Sequence, residues 1–183
     1  MDAHIEEIIA RLRENFPEGV AGVVEEFDEV SVEVARERLV EVAAALRDEF
    51  EMLVDWSCID WLGIEPPERR FLMSAQLAST RHALRLRLRV FIPEGDDTCP
   101  SLCGVWPGAN FLEREAFDFF GITFEGHPDL RRIFMPDEWQ GFPQRKDYPL
   151  GGVNTTYEHG AFIPPPDIRR QPTSTSGYPG RIS

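Results

Sequence analysis

Lysine is nearly missing from this chain: of its 19 basic residues, 18 are arginine and one is Lys146. Arginine is the better residue for bidentate pairing at interfaces. Cysteine is scarce as well, with Cys58, Cys99 and Cys103 alone. An odd number without paired spacing is not a disulfide framework. Nor is it an iron–sulfur site, which normally takes about four thiolates. Buried, inert thiols are the expectation. No apolar run approaches the roughly 20 residues of a bilayer-spanning helix. Positive charge is in deficit, the net charge being −13, which excludes the basic footprint that nucleic acid demands. The opening stretch "MDAHIEEIIARLREN" has neither a basic n-region nor an apolar h-region. A soluble cytosolic chain is expected, with any membrane link made through a partner.

What is present suits one domain with a tail. Of the 183 residues 42% are hydrophobic, enough to bury a core. The acidity is concentrated: residues 1–51 carry 15 acidic and 5 basic side chains, −10 of the −13. Ile5, Ile8, Ile9, Leu12 and Phe16 recur at helical spacing, with Asp2 as cap and Pro17 as stop. Val20–Val24 and the alternating Val30, Val32 and Val34 predict a strand pair turned near Asp28-Glu29. Leu39, Val42, Ala43, Leu46 and Phe50 predict a second helix. Three strands follow. "MLVDWSCI" places Met52, Val54, Trp56 and Cys58 on one face, and "FLMSAQLA" places Phe71, Met73, Ala75 and Leu77 together. "ALRLRLRVF" turns Leu84, Leu86, Leu88 and Val90 inward and Arg85, Arg87 and Arg89 outward. The arginine row is either a solvated strand face or a docking stripe for an acidic surface.

The order α-β-β-α-β-β-β, with short links inside each strand group, predicts an α+β fold: a two-layer domain with a mixed sheet. One parallel pairing can form across the intervening helix. The expected division is a core domain over 1–120, an irregular docking segment over 121–163, and a Pro/Ser/Thr-rich tail over 164–183. The docking segment shows no sustained period, and a long irregular stretch in a compact domain is usually functional. The tail has the composition of a flexible or polyproline II segment.

The densest chemistry lies in "EREAFDFFGITFEGHPDLRRIF", Glu113 to Phe134. Asn110 and Glu113 match a capping box opening a helix. Leu112, Ala116, Phe119 and Phe120 form its apolar stripe, and Gly121 suits its end. Glu113 and Glu115 are placed near the positive pole. Asp118 lies at the wrong pole for an anion and needs a cation, with Arg114, Arg131 and Arg132 as candidates. His127-Pro128-Asp129-Leu130 suits a type I turn. Three readings stand on these residues. An acid–base enzyme would use Glu113, Glu115 or Asp118 with His127, but no nucleophile motif, phosphate loop or GxGxxG fingerprint accompanies them. A metal site would use Asp118, His127 and Asp129, without HExxH-type spacing. A charge network fixing loop geometry needs neither, and is preferred.

"EREAFDFFGITFEGHPDLRRIFMP" followed by "RKDYPL" resembles the C subunit of NADH:quinone oxidoreductase, respiratory complex I. The resemblance runs through Glu113-Arg114-Glu115, Asp118, Phe119-Phe120, Gly121-Ile122 and Gly126 through Ile133, and then Arg145, Lys146, Asp147 and Tyr148. "WPGAN" at Trp106–Asn110 is similar to the segment preceding this helix in the family. The close resemblance covers about residues 105–150. It departs at Phe142 and Gln144, where the family often shows His and Leu. The resemblance implies a subunit of the proton-pumping enzyme that binds no cofactor of its own. FMN and iron–sulfur clusters would belong to partner subunits of the hydrophilic arm, and the nearest neighbours would form the quinone site. It also implies a peripheral place on the cytoplasmic side of the membrane. The charge cluster becomes an assembly element, holding Gly126, His127, Pro128, Asp129 and the arginines in place. A related membrane-bound hydrogenase, or a dehydrogenase with another electron donor, would use an equivalent subunit.

Overall fold

In the computed structural model the described residues are 2–27 and 29–149. The 164–183 tail, and the part of the docking segment beyond residue 149, lie outside them.

Helix α1 (Ala3–Asn15) starts where the sequence places it, since Asp2 accepts the His4 amide at 2.8 Å. It ends at Asn15, with Phe16 as C-cap ahead of Pro17. Strands β1 (Val20–Glu26) and β2 (Glu29–Val34) pair antiparallel, and Val30, Val32 and Val34 are buried. Helix α2 (Leu39–Leu46) is shorter than its periodicity suggested. Phe50 is fully buried but lies beyond the helix, where its amide bonds back to the Leu46 carbonyl at 2.8 Å.

Strands β3 (Met52–Asp60), β4 (Phe71–Ser79) and β5 (Leu84–Ile92) form an antiparallel meander. β5 then pairs parallel with β2, giving the mixed five-stranded order β1-β2-β5-β4-β3. This is the α+β architecture expected, with its single parallel joint across α2. The alternation holds in β4 and β5 and fails at the start of β3. There the register shifts between Leu53 and Asp55, so Leu53 opposes Leu77 and Trp56 opposes Ala75. A bulge residue reverses the facing of everything before it. Met52 and Val54, expected beside Trp56, are therefore exposed, and Leu53 takes the inward place.

The apolar faces of α1 and α2 and the inward sheet residues make one core, continuous with Cys99, Leu102, Trp106 and helix α3 (Ala109–Phe120). Each fully buried Leu, Ile or Phe there contributes about 1.5–3 kcal/mol. Two short strands, β6 (Thr98–Pro100) and β7 (Thr123–Glu125), pair parallel on either side of α3 in sequence. Three residues are too few to show a period, so neither was expected. The outer face of β5 is knitted into the chain. Arg87 pairs with Glu29, while Arg89 lies over Trp61 and Phe91, at 5.9 and 5.5 Å from their ring centres.

Candidate functional site

Helix α3 begins earlier than its sequence signal. Gly108 is the N-cap and makes no side-chain cap bond, so Asn110 is inside the helix and the expected capping box does not form. Glu113 is thereby moved out of the first turn and into the interior, fully buried. Its carboxylate accepts from the Leu102 amide and the Ser101 hydroxyl, both at 2.6 Å, and from the Cys103 thiol at 3.5 Å. It ties the 101–103 loop to the helix. Burial pushes its pKa up, only partly opposed by the Ser101 and Leu102 hydrogen bonds. Glu115 is exposed.

At the other end, the amide of the C-cap Gly121 closes the last helical bond, to the Phe117 carbonyl (2.8 Å). The carbonyls that follow have no partner within an ideal helix, and the later segment supplies one for the next three: that of Asp118 accepts from Arg132 Nη1 (3.0 Å). The Phe119 carbonyl accepts from the Gln144 amide (3.2 Å), and that of Phe120 from Arg145 Nε (2.5 Å). Two guanidiniums thus sit at the negative pole of the helix, where cations are favoured. Arg145 continues to Asp97 at 2.6 Å.

Asp118 is completely buried at this pole. Its Oδ1 accepts from Arg132 at 2.7 Å. Its Oδ2 accepts from three successive amides, Ile133 at 3.0, Phe134 at 2.7 and Met135 at 2.8 Å. Burial works to raise its pKa. The Met135 amide, Arg132 and the other two amides outweigh that and hold the carboxyl below its ordinary range. Arg132 also donates to the carbonyls of Trp139 and Gly141, both at 3.1 Å, so one side chain gathers the helix end and two points of the loop.

The other expected cations act differently. Arg114 donates to the carbonyls of Arg131 and Arg132, both at 3.2 Å, rather than to Asp118. Arg131 is exposed and pairs with exposed Asp129. His127 and Asp129 form a bend closed by the imidazole itself: the Asp129 amide donates to Nδ1 at 3.0 Å, and Nε2 lies 3.1 Å from the Asn110 carbonyl. With Nδ1 accepting, Nε2 is the protonated nitrogen, so both are committed. Asp118, also in the metal reading, is likewise committed, to Arg132 and three amides. Cys103 and Glu113 do approach His127, but burial, the leading cause, keeps this thiol and those of Cys58 and Cys99 protonated.

The residues from Arg145 to Tyr148 fasten the segment to the sheet. The Lys146 amide donates to Asp60 at 2.8 Å, and Asp147 pairs with Arg70 at 2.8 Å. Arg70 is buried and also meets Glu94 and Asp60. Asp60, Arg70, Glu94 and Asp97 were missed in the sequence, since each meets its partner only through the fold and no local spacing joins them. Tyr148 donates to the Gln140 carbonyl at 3.2 Å and packs on Gly141. Phe142, one of the departures from the family pattern, lies under Arg132 and Arg145 at 5.5 and 4.8 Å.

Gly121 is the left-handed C-cap of α3, with φ of 73°, and a Cβ there would stand 2.4 Å from the Phe142 ring. Gly126 has a similar φ of 84° with open space around it. Gly126→Ala is expected to cost only the left-handed backbone penalty, about 1–2 kcal/mol. Gly121→Ala should cost that plus displacement of the ring. Urea unfolding of both variants measures the difference, and equal losses would show the ring contact to be unimportant.

Residues 32–154 match the family described as respiratory-chain NADH dehydrogenase, 30 Kd subunit. The chain is 47% identical over 175 residues to the NADH-quinone oxidoreductase C subunit of Mycolicibacterium gilvum, covering 91% of this chain and 76% of that one. Against the C subunit of Salinispora arenicola it is 44% identical over 174 residues, covering 91% and 70%. Among solved structures, a trypsin-resistant fragment of Nqo5 superposes with a TM-score of 0.60 at 33% identity, covering 69% of this chain and 98% of the fragment. A chain of an archaeal membrane-bound sulfane sulfur reductase shares the fold at 22% identity, with a TM-score of 0.67 and coverage of 79% and 85%. The sheet, the capped helix and the wrap that follows it are thus those of a chain belonging to the 30 Kd subunit family of respiratory-chain NADH dehydrogenase.

Proposed function

We propose that this chain is a structural subunit of the hydrophilic arm of a proton-pumping NADH:quinone oxidoreductase. It supports electron flow from NADH through FMN and iron–sulfur clusters, held by other subunits, to quinone. It carries no cofactor itself and reaches the cytoplasmic face of the membrane only through those subunits. No helix among the described residues is long and apolar enough to cross a membrane. Residues 121–163 act as a docking segment, whose described part to residue 149 is fixed on a core domain of residues 1–120.

The observation that carries this reading is the division of labour around α3. Glu113, Asp118, Arg132 and Arg145 are consumed inside the chain, while large apolar side chains are left outside: Phe111 is 62% exposed, Phe134 61% and Ile133 37%. Phe134 stacks on Phe119 at 5.2 Å, so it is held in place rather than loose. Exposed, ordered aromatic surface marks a protein contact. An acid–base enzyme is disfavoured because Glu113 and Asp118 are sealed from any substrate.

Phe111→Asp with Phe134→Asp should leave the free chain folded, as both rings are surface groups. In cells producing a tagged chain, the variant should recover far less of the flavin and iron–sulfur subunits with the tag. Recovery equal to wild type would remove this face from the assembly.

A further inference from the structure

Away from the capped helix, three segments converge that the reading above does not use. They are the first turn of α1, the connection between α2 and β3, and the turn between β4 and β5. His4 Nε2 lies 3.5 Å from Glu49 Oε2, and His82 Nε2 lies 3.7 Å from the same oxygen. All three ligand atoms fall within 4.8 Å of one another. The two imidazoles face each other at 4.5 Å, tilted by 36°.

We infer that His4, Glu49 and His82 form a binding site for one divalent transition-metal ion of the zinc type. Zinc bonds to imidazole nitrogen and carboxylate oxygen at about 2.0–2.2 Å, so tetrahedral ligands stand roughly 3.3–3.6 Å apart. The His4–Glu49 distance already meets that spacing and the His82–Glu49 distance nearly does. The His4 Nε2 is shielded from solvent and makes no hydrogen bond of good geometry, which is costly for a buried polar atom unless something else binds it.

Glu49 is prepared for one bond and not two. Arg11 holds its Oε1 at 2.9 Å, leaving Oε2 turned toward the histidines. Such a charged outer partner orients a metal-binding carboxylate. The supporting segments are themselves fixed. The helix cap on the His4 amide sets the first, and Glu51 takes both the amide and the hydroxyl of Thr80, holding the turn that carries His82 against the second. His82 is 43% exposed and His4 36%, so an ion can enter and water can complete its coordination. Two imidazoles and one carboxylate suit zinc, nickel or copper(II) and disfavour magnesium or calcium, which want oxygen. The bound ion would staple the helix start to the hairpin.

The full chain, stripped with a chelator, is titrated with zinc chloride at about pH 7.5, where free histidine is mostly neutral. Calorimetry should show a site filled by one ion per chain that His82→Ala weakens by at least about 10-fold, as changes around metal ligands commonly do. His4→Ala and Glu49→Gln should do the same, whereas Cys103→Ser should not. A saturating excess should raise the melting temperature of the wild type by about 5–10 °C and that of His82→Ala by much less. Imidazole resonances supply a test that needs no variant: those of His4 and His82 should shift together on zinc addition. Absence of binding, or binding that leaves both rings unshifted, overturns the proposal.

Discussion

Arg132→Ala is expected to destabilise the chain by about 3–5 kcal/mol, the loss typical when one partner of a buried ion pair is removed. Asp118 would be left fully buried beside a helix C-terminus, with three amides but no countercharge. The Trp139 and Gly141 carbonyls would lose the same donor. Arg131→Ala, one residue away, removes only an exposed pair with Asp129 and should cost at most about 1 kcal/mol. Urea unfolding of the two full-length variants reads the contrast. In cells the first should lower the amount of assembled complex and its quinone reductase activity in proportion. Normal assembly with collapsed turnover would instead assign the cluster a direct part in the reaction.

The second large effect is expected at Asp118 itself, and it depends on pH in the opposite sense to Glu113. Asp118 has a folded pKa below its unfolded value. Its stabilisation is fully present above about pH 4, the unfolded pKa, and is lost as pH falls through the folded value. Asp118→Asn turns an amide donor toward Arg132 and should cost about 3–5 kcal/mol at neutral pH. Most of that cost should vanish in acid, where the wild type has lost the same charge. Glu113 has a folded pKa above its unfolded value. The native state holds its proton more tightly, so its contribution is greatest below about pH 4 and declines as pH rises through the folded value. Glu113→Gln can still accept from the Leu102 amide and donate to the Ser101 oxygen, so it should lie within about 1 kcal/mol of wild type at neutral pH. It should also abolish the decline. Stability curves of the three proteins between pH 3 and 8 would test both signs. Parallel curves would mean that neither carboxyl has the environment described.

Much of the sheet was legible because β4 and β5 obey a period of two without interruption. β3 was misread at Met52 and Val54 for one reason: a bulge leaves no mark on composition, yet it inverts every residue on one side of it. The helix end was legible in kind, since Asp118 at the negative pole demanded a cation. Choosing among three arginines was not possible, because the choice depends on where the chain turns after Gly121. The capping residues were the hardest to foresee. Gln144 acts through its backbone amide and Arg145 through a carbonyl contact, and neither depends on a side-chain pattern along the sequence. Asn110 and Glu113 gave a false capping signal because the real helix start, at Gly108, carries no side chain to announce it.

The parallel joint between β2 and β5 has a kinetic meaning. It aligns Ser31–Glu33 with Arg87–Arg89, whereas the hairpins on either side join neighbours in sequence. Each hairpin can close within a few microseconds of being made, but the joint must bring together two pieces separated by a helix and two complete strands. During synthesis the N-terminal helix and first hairpin therefore wait, with the inner edge of β2 unpaired, until β5 has left the ribosome. The strongly acidic first third, at −10 over 51 residues, keeps those waiting chains apart from one another by mutual repulsion.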